Sequence, residues 1–222
     1  MSMGSTAERL DNVQTMRRKD QARRRAQLVD AARALLLEHG ALGLRVKDIA
    51  ARAGISSSAV LYYYPDLDDL LLEVTREAMS RYAERRADAV RGLADPARQL
   101  RVAISLGVPT GPDDEDSRLL YELDAMTGAS KLFATLSAAF FDRQVMLYER
   151  VLERGVESGA FELGSDPLTV ARGLVALEDG LGLQVVLGHP EVDAAAGEAV
   201  LVAWASAATG VELEAVAGVR QC

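Results

Sequence analysis

The chain has almost none of the residues from which metal centres, disulfides and many active sites are built. Cysteine occurs once, as the last residue Cys222, and histidine twice, as His39 and His189. One cysteine excludes an internal disulfide and a cysteine-based metal cluster, and neither histidine has a second ligand at metal-binding spacing. P-loop, GxSxG, HExxH and CxxC motifs are also absent. The sequence therefore predicts a protein that is not an enzyme and holds no cofactor or metal.

Aromatic residues, long apolar runs and alternating strand patterns are scarce as well. Aromatics make up 5% of the 222 residues, and Ala and Leu dominate, which favours helix over sheet. No apolar run approaches the ~18 residues needed to span a bilayer, and no signal-peptide stretch is present at the N-terminus. We expect an all-α protein that stays in the cytoplasm and has no membrane partner.

The net charge of −8 is divided unevenly along the chain. Residues 1–64 carry eleven Lys and Arg against six Asp and Glu, a net charge of +5, which leaves −13 for the remainder. A basic end suits phosphate, whereas an acidic body is repelled by it, so the split predicts one docking orientation on DNA. The basic run RRKDQARRR at 17–25 is either a solvated helix start or an arm that contacts DNA.

The most informative stretch, at 46–71, reads VKDIAARAGISSSAVLYYYPDLDDLL. Its first part places apolar residues on one helical face, and Gly54 supplies a left-handed helix end. Ser56 is suited to cap a second helix that runs to about Tyr64. Pro65 ends that helix and Asp66 caps the next. A buried helical hairpin would not carry three serines and three tyrosines in nine residues, so the pattern indicates a helix-turn-helix.

The periodic segments predict helices throughout the rest of the chain. Their expected extents are about 21–39, 66–92, 96–108, 118–127, 130–158, 165–188 and 190–210, with a loop at 109–117. We expect a disordered basic arm at 1–20, a helix-turn-helix domain at 21–66, and a helical domain at 67–222, to which the family resemblance described next assigns ligand binding and dimerisation.

The stretch from Arg23 to about Val74 resembles the N-terminal domain of TetR-family transcriptional regulators. The resemblance lies in the ensemble of Gly40, VKDIAARAGIS, a tyrosine-rich helix, Pro65 and DLDDLL. It implies a TetR-like fold of nine or ten helices and a homodimer on a palindromic double-stranded DNA operator. It also implies a small-molecule effector in each body and, most commonly, repression relieved by that effector.

The resemblance also implies which residues contact DNA, although several usual anchors differ. Leu44-Arg45 stands where Thr or Ser is common, Ser57-Ser58 where Lys-Gly is common, Leu61 replaces a tyrosine, and Leu67 replaces a lysine. Backbone contacts are therefore expected from arginine, lysine and tyrosine, and base contacts from short side chains and DNA shape. The candidates are Arg45, Lys47, Ser56, Ser57, Ser58, Ala59, Leu61, Tyr62 and Tyr63.

Candidate ligand residues are polar, aromatic or sulfur-containing side chains on otherwise apolar helical faces. They are Tyr121, Asp124, Met126, Phe133, Phe140, Phe141, Met146 and Glu178. Plain core packing is the alternative for each aromatic and methionine. Glu178 lies among leucines, and a buried carboxylate needs a partner, so we expect it to meet a ligand or an arginine across a dimer.

Two other readings of the whole chain stay open at this point. A helical dimer with weak or altered DNA binding would act only as a ligand sensor, and a transcriptional activator would share the same architecture. An enzyme would require a convergent nucleophile–base or metal constellation, which the sequence lacks.

Overall fold

The computed structural model describes residues 4–126, 128 and 130–214, with side chains from residue 15 onward except that of residue 42. All regular structure in these ranges is helical, as predicted. Nine α-helices are joined by short loops and one 3-10 turn at Ala41–Gly43. The helices are α1 Gly4–His39, α2 Val46–Ala53, α3 Ser57–Tyr63, α4 Leu67–Arg91, α5 Pro96–Gly107, α6 Glu115–Asp124, α7 Lys131–Glu157, α8 Pro167–Val186 and α9 Ala194–Thr209.

The chain divides into two compact units between Thr75 and Arg76, within α4. We call the unit up to Thr75 the head and the unit from Arg76 the body. In the head, α1 packs against α2, and α2 against α3. The predicted apolar stripe of α1 is buried, from Leu28 to Leu36. Ile49 of α2 and Val60 of α3 are equally inaccessible, so one small apolar core fixes the helix-turn-helix.

The turn between α2 and α3 follows the local signals in the sequence. Gly54 adopts φ 66° and ψ 34°, the left-handed region that glycine enters without steric cost. The Ser56 hydroxyl accepts a hydrogen bond from the Ala59 N–H at 3.2 Å, which confirms the predicted cap. Tyr64 ends α3 with its ring buried, and the Asp66 carboxylate accepts from the Asp68 N–H at 3.3 Å.

Three predicted helix starts were wrong. Helix α6 begins at Glu115 rather than about residue 118, because Asp114 caps it by accepting from the Ser117 N–H at 3.0 Å. The first helix begins at Gly4 rather than about residue 21, because no glycine or proline interrupts the good helix formers between Gly4 and His39. The last helix begins at Ala194 rather than Pro190, because Asp193 caps it by accepting from the Ala196 N–H at 2.8 Å.

The body is built around α8, which packs against both α7 and α9, while α5 packs against α7, α8 and α9. Its apolar core combines Val90, Leu100, Val151, Leu174 and Leu201, one from each of five helices. Within the ranges described, no helix is long and apolar enough to cross a membrane. The terminal Cys222 lies outside the described residues.

Candidate nucleic-acid interface and ligand cavity

The outward face of α3 presents small polar groups and aromatic rings to solvent. Ser57 and Ser58 are exposed, Tyr62 is 72% exposed and Leu61 44% exposed. Tyr63 is half-buried, and its ring meets that of Tyr62 edge to face at 5.2 Å between centroids. Hydroxyls and a phenol can donate to phosphates or base edges, and an exposed leucine can contact a thymine methyl.

Two basic side chains are exposed at the start of α2. Arg45 is the N-cap residue, with an extended backbone and a side chain that makes no capping bond. Arg45 and Lys47 are both exposed, and neither has an ion-pair partner among the described residues. Arg52, by contrast, is held by Glu38 at 2.6 Å, and that hydrogen bond lowers the pKa of Glu38. Arg45 and Lys47 are therefore available to phosphate, whereas Arg52 is occupied.

Arg25 fixes the end of α3 to its neighbours within the head. Its guanidinium donates to the Tyr63 carbonyl at 3.0 Å and to the Glu73 carboxylate at 2.6 Å, and it lies 4.3 Å from the Tyr64 ring centroid. The hydrogen bond to Glu73 raises the pKa of Arg25. One side chain of α1 thus links the C-terminal end of α3 to the first turns of α4.

The body contains a cavity of about 530 Å³, within the usual size range for small-molecule sites. Helices α4 to α8 and the segment after α5 contribute its wall. The lining residues are Met79, Tyr82, Gly107, Pro109, Ser117, Leu120, Tyr121, Asp124, Ala134, Ser137, Ala138, Phe140, Phe141, Gln144, Val175, Glu178 and Asp179.

A fully buried ion pair lies at one side of this cavity. The Arg86 guanidinium donates to both oxygens of Glu178, at 2.7 Å and 2.8 Å. It also donates to the Gln144 side-chain carbonyl at 2.6 Å and to the Ala103 carbonyl at 2.8 Å. One arginine therefore links α4, α5, α7 and α8. Because α5 must approach closely, Gly107 is required: a β-carbon there would lie 2.1 Å from a Glu178 oxygen.

Two tyrosines complete the cluster around the ion pair. Tyr148 donates to Glu178 at 2.5 Å and accepts from Arg86 at 2.9 Å. Tyr82 donates to the Gly107 carbonyl at 3.1 Å, and its ring faces that of Phe140 at 5.7 Å. Burial raises the pKa of both phenols, so both stay neutral. Burial alone would lower the pKa of Arg86, but the Glu178 charge outweighs it and the pKa is raised.

The cavity wall carries more negative charge than the ion pair neutralises. Glu178 is matched by Arg86, but Asp124 and Asp179 also line the space. Asp124 accepts only a serine hydroxyl bond, from Ser137 at 2.5 Å, and no described residue donates to the Asp179 carboxylate. Although Asp179 is exposed to solvent on one side, desolvation of its carboxylate by the surrounding protein, then the charges of Glu178 and Asp124, raise its pKa to about 7. Organic cations are attracted both to carboxylates, by opposite charge, and to the faces of aromatic rings.

Comparison with known proteins gives a single family for both units. Residues 28–74 match "Bacterial regulatory proteins, tetR family", and residues 96–210 match "BetI-type transcriptional repressor, C-terminal". The second match alone covers more than half of the chain.

The chain belongs to the TetR family of bacterial transcriptional regulators.

Similar proteins include the regulator PksA of Bacillus subtilis, 28% identical over 78% of this chain and 84% of that protein. The regulator BetI of Agrobacterium fabrum is 27% identical over 71% of this chain and 74% of its own length. A regulator from Saccharomonospora viridis, solved in complex with choline, shares the fold with a TM-score of 0.75 and 24% identity, over 81% and 94% of the two chains. PksA and BetI are both named HTH-type transcriptional regulators.

In this TetR-family chain the cavity gathers five of the eight predicted ligand residues. Tyr121, Asp124, Phe140, Phe141 and Glu178 line it. Met126, Phe133 and Met146 do not: Phe133 is buried at the start of α7, and Met146 is exposed. Met146 lies two positions after Gln144, about 200° around the helix, so it faces away from the cavity.

Of the two alternatives for Glu178, a ligand or an arginine across a dimer, the first stays a prediction because Glu178 lines the cavity, whereas the second is wrong. Its partner is Arg86 of the same chain, 92 residues earlier. The sequence held a signal for this arginine, because Tyr82, Arg86 and Val90 repeat at i, i+4 and i+8 on one face of α4. Sequence reasoning also missed Tyr82, Gln144 and Asp179 as parts of the cavity wall.

Proposed function

We propose that this TetR-family regulator binds a palindromic operator as a homodimer and is released from it when a small organic cation occupies the body cavity. The observation that carries the proposal is an aromatic cavity of about 530 Å³ whose wall includes two carboxylates, Asp124 and Asp179, for which the described part of the chain supplies no basic partner. It occurs in a chain whose head is a helix-turn-helix with an open α3 face.

The DNA contacts we assign follow from exposure and chemistry in the head. Arg45, Lys47, Tyr62 and Tyr63 are assigned to the phosphate backbone. Ser57, Ser58 and Leu61 are assigned to base edges, and part of the specificity to DNA shape, because none of the three can make the bidentate guanine contact typical of arginine. Ser56 and Ala59 are proposed only as close neighbours of the duplex, since the Ser56 hydroxyl already caps α3.

The homodimer is supported by an apolar surface on α8 and α9, which pack against each other. Leu187 is 69% exposed and Val200 49%, with Leu183 and the single tryptophan, Trp204, also on the surface. Leu183 of α8 and Leu187, the C-cap residue of that helix, are four residues apart, and Val200 and Trp204 are four apart on α9, so each pair shares a helical face. An exposed apolar patch of this kind marks an interface, and two copies of one face can pair about a two-fold axis.

Replacing Leu187 with glutamate is expected to shift the protein from dimer to monomer, because it places two charges against an apolar face. Sedimentation equilibrium measures the change in association constant. Leu132→Glu is the matched control, since Leu132 is 53% exposed at the start of α7. The dimer face is wrongly placed if both variants sediment alike.

The cation is proposed from the cavity wall, and the choline complex of the S. viridis regulator supports that class. Asp124 and Asp179 supply negative charge, while Tyr82, Phe140 and Phe141 supply ring surface. A quaternary ammonium group is attracted to ring faces and needs no hydrogen-bond donor or acceptor. Choline is therefore the first probe, with its uncharged isostere 3,3-dimethylbutan-1-ol as the control for charge.

Fluorescence anisotropy with a duplex from upstream of the protein's own coding sequence tests the DNA half of the proposal. We expect tight binding at low salt that weakens steeply as salt rises, by about 0.9 in log–log slope for each neutralised phosphate. Scrambling one half-site should reduce affinity strongly. Failure to bind any such duplex at low salt would favour the alternative that the protein is only a ligand sensor. The observation that favours this alternative is that Leu61 and Leu67 replace two usual DNA anchors, a tyrosine and a lysine.

A further inference from the structure

We propose that the basic segment of α1, residues 17–24, is a second DNA-contacting surface that binds phosphates flanking each operator half-site. The inference rests on the proposed DNA binding of the head. The surface lies outside the helix-turn-helix, and its phosphate contacts add affinity for DNA without adding contacts to bases.

The basic segment has an excess of positive charge that the protein does not neutralise. It holds Arg17, Arg18, Lys19, Arg23 and Arg24 against one carboxylate, Asp20. Arg23 and Asp20 approach to 3.5 Å, but both side chains are 71% exposed, and such surface pairs contribute little. Arg24 donates only to the neutral Gln27, at 3.0 Å. The charge of the segment is therefore presented to solvent.

The position of the segment is fixed by the residue that follows it. Arg25 donates to the carbonyl of Tyr63, the last residue of α3, so the C-terminal end of the basic segment lies near the end of the proposed reading helix. Residues 17–24 continue the same helix α1 without a glycine or proline, and eight residues of helix span about 12 Å. Because phosphates of one strand follow each other every ~3.4 Å along the duplex axis, the segment can reach several of them.

The charge of the basic segment and its location in the chain both favour DNA as its binding partner. The segment is continuous with the head, whose exposed Arg45 and Lys47 add to its positive charge, whereas the rest of the chain beyond residue 64 carries −13. A purely solvated helical face would carry charges of both signs in similar number. Five cations beside a single carboxylate match a polyanion instead.

The test compares the salt dependence of DNA binding for two triple variants of equal charge change. The first, R17Q/R18Q/K19Q, neutralises the segment with a good helix former. The control, R91Q/R150Q/R154Q, removes three exposed cations from the body. Circular dichroism confirms that the helix content of both matches that of the native chain. Anisotropy with the upstream duplex and with a scrambled duplex then gives log K against log salt.

The segment variant should show a slope shallower by about 3 to 5, at about 0.9 for each phosphate that is no longer neutralised, with up to about six such phosphates per dimer. The decrease in affinity should be the same on operator and scrambled duplex, because phosphates carry no sequence information. The control variant should keep the native slope. The inference is overturned if both variants keep the native slope while binding the operator, which would make the segment a solvated face. Absence of binding by the native chain would instead overturn the proposed function itself.

Discussion

Replacing Glu178 with glutamine is expected to destabilise the body by about 3 to 5 kcal/mol, because it leaves the buried Arg86 charge without a counter-charge. Arg86 has no exposed surface, and its remaining acceptors would be the Gln144 side chain, the Ala103 carbonyl and the Tyr148 hydroxyl. Neutral acceptors cannot replace a carboxylate in a site from which water is excluded.

Urea unfolding followed by the fluorescence of Trp204, the only tryptophan, measures this loss in the body. Glu77→Gln is the control, since Glu77 pairs with Arg81 on the exposed face of α4 and such pairs contribute less than about 1 kcal/mol. The double variant Arg86→Met with Glu178→Leu should lose less stability than either single change, because it removes both charges at once. Equal effects of Glu178→Gln and Glu77→Gln would show that the ion pair is not desolvated in solution.

Replacing Asp179 with asparagine is expected to weaken choline binding by about 30-fold, which corresponds to about 2 kcal/mol. A charge pair about 5 Å apart at an effective dielectric constant of about 20 is worth about 3 kcal/mol, and solvent access to the cavity reduces that figure. Isothermal titration calorimetry measures the affinity. Asp142→Asn is the matched control, since Asp142 is exposed on α7 and does not line the cavity.

The same carboxylate should make choline binding depend on pH. The pKa of Asp179 is raised to about 7, so the group is mostly neutral at pH 6 and mostly charged at pH 8. A cation favours the charged form, so affinity should rise by up to about fivefold from pH 6 to pH 7 and up to about tenfold from pH 6 to pH 8, and level off above pH 8. Tyr121, Tyr82 and Tyr148 have raised pKa values and stay neutral across this range, and Glu178 is held by Arg86.

The Asp179→Asn variant should lose most of this pH dependence, while Asp142→Asn should keep it. A native affinity that is constant between pH 6 and pH 8 would show that Asp179 is not the group that meets the cation. The raised pKa also carries a stability consequence for the free protein. A carboxyl with a raised folded-state pKa makes the fold less stable as pH rises from about 4 to about 7, and a bound cation should offset that loss.

The helix-turn-helix could be predicted almost completely because its signals are local, whereas the start of α1 in the same unit was not. Gly54, Ser56, Pro65 and Asp66 each act on the backbone within a few residues, so the turn, the cap and the next helix start follow from sequence alone. The buried character of Glu178 was likewise readable from its place in an apolar stripe. The start of α9 was misjudged because Pro190 and Asp193 both signal a helix start, and only the capping bond in the fold decides between them.

The cavity could be predicted only in part, because its wall is assembled from residues distant in the chain. Arg86 meets Glu178 across 92 positions and Gln144 across 58, and no periodicity reports such a pairing. The importance of Asp179 was hidden for a second reason. Its pKa depends on desolvation by the folded protein, on Glu178 beside it and on Asp124 on α6, so its role exists only once α6 and α8 are folded together.

Helix α4 belongs to both units. It begins in the head and contributes Tyr82 and Arg86 to the cluster in the body. We expect a cation in the cavity to favour one arrangement of this helix and DNA to favour another. A ligand can shift such an equilibrium only by its own preference for one state, and coupling between two sites is typically ~1–3 kcal/mol.

Reciprocal titration tests this coupling most directly. Operator affinity is measured by anisotropy with and without saturating choline, and choline affinity by calorimetry with and without saturating operator. We predict that choline lowers the affinity for operator and that operator lowers the affinity for choline by the same factor, about 5- to 150-fold. The Asp179→Asn variant should need far more choline before it releases DNA. Operator affinity that is unchanged when choline fills the cavity would contradict this prediction.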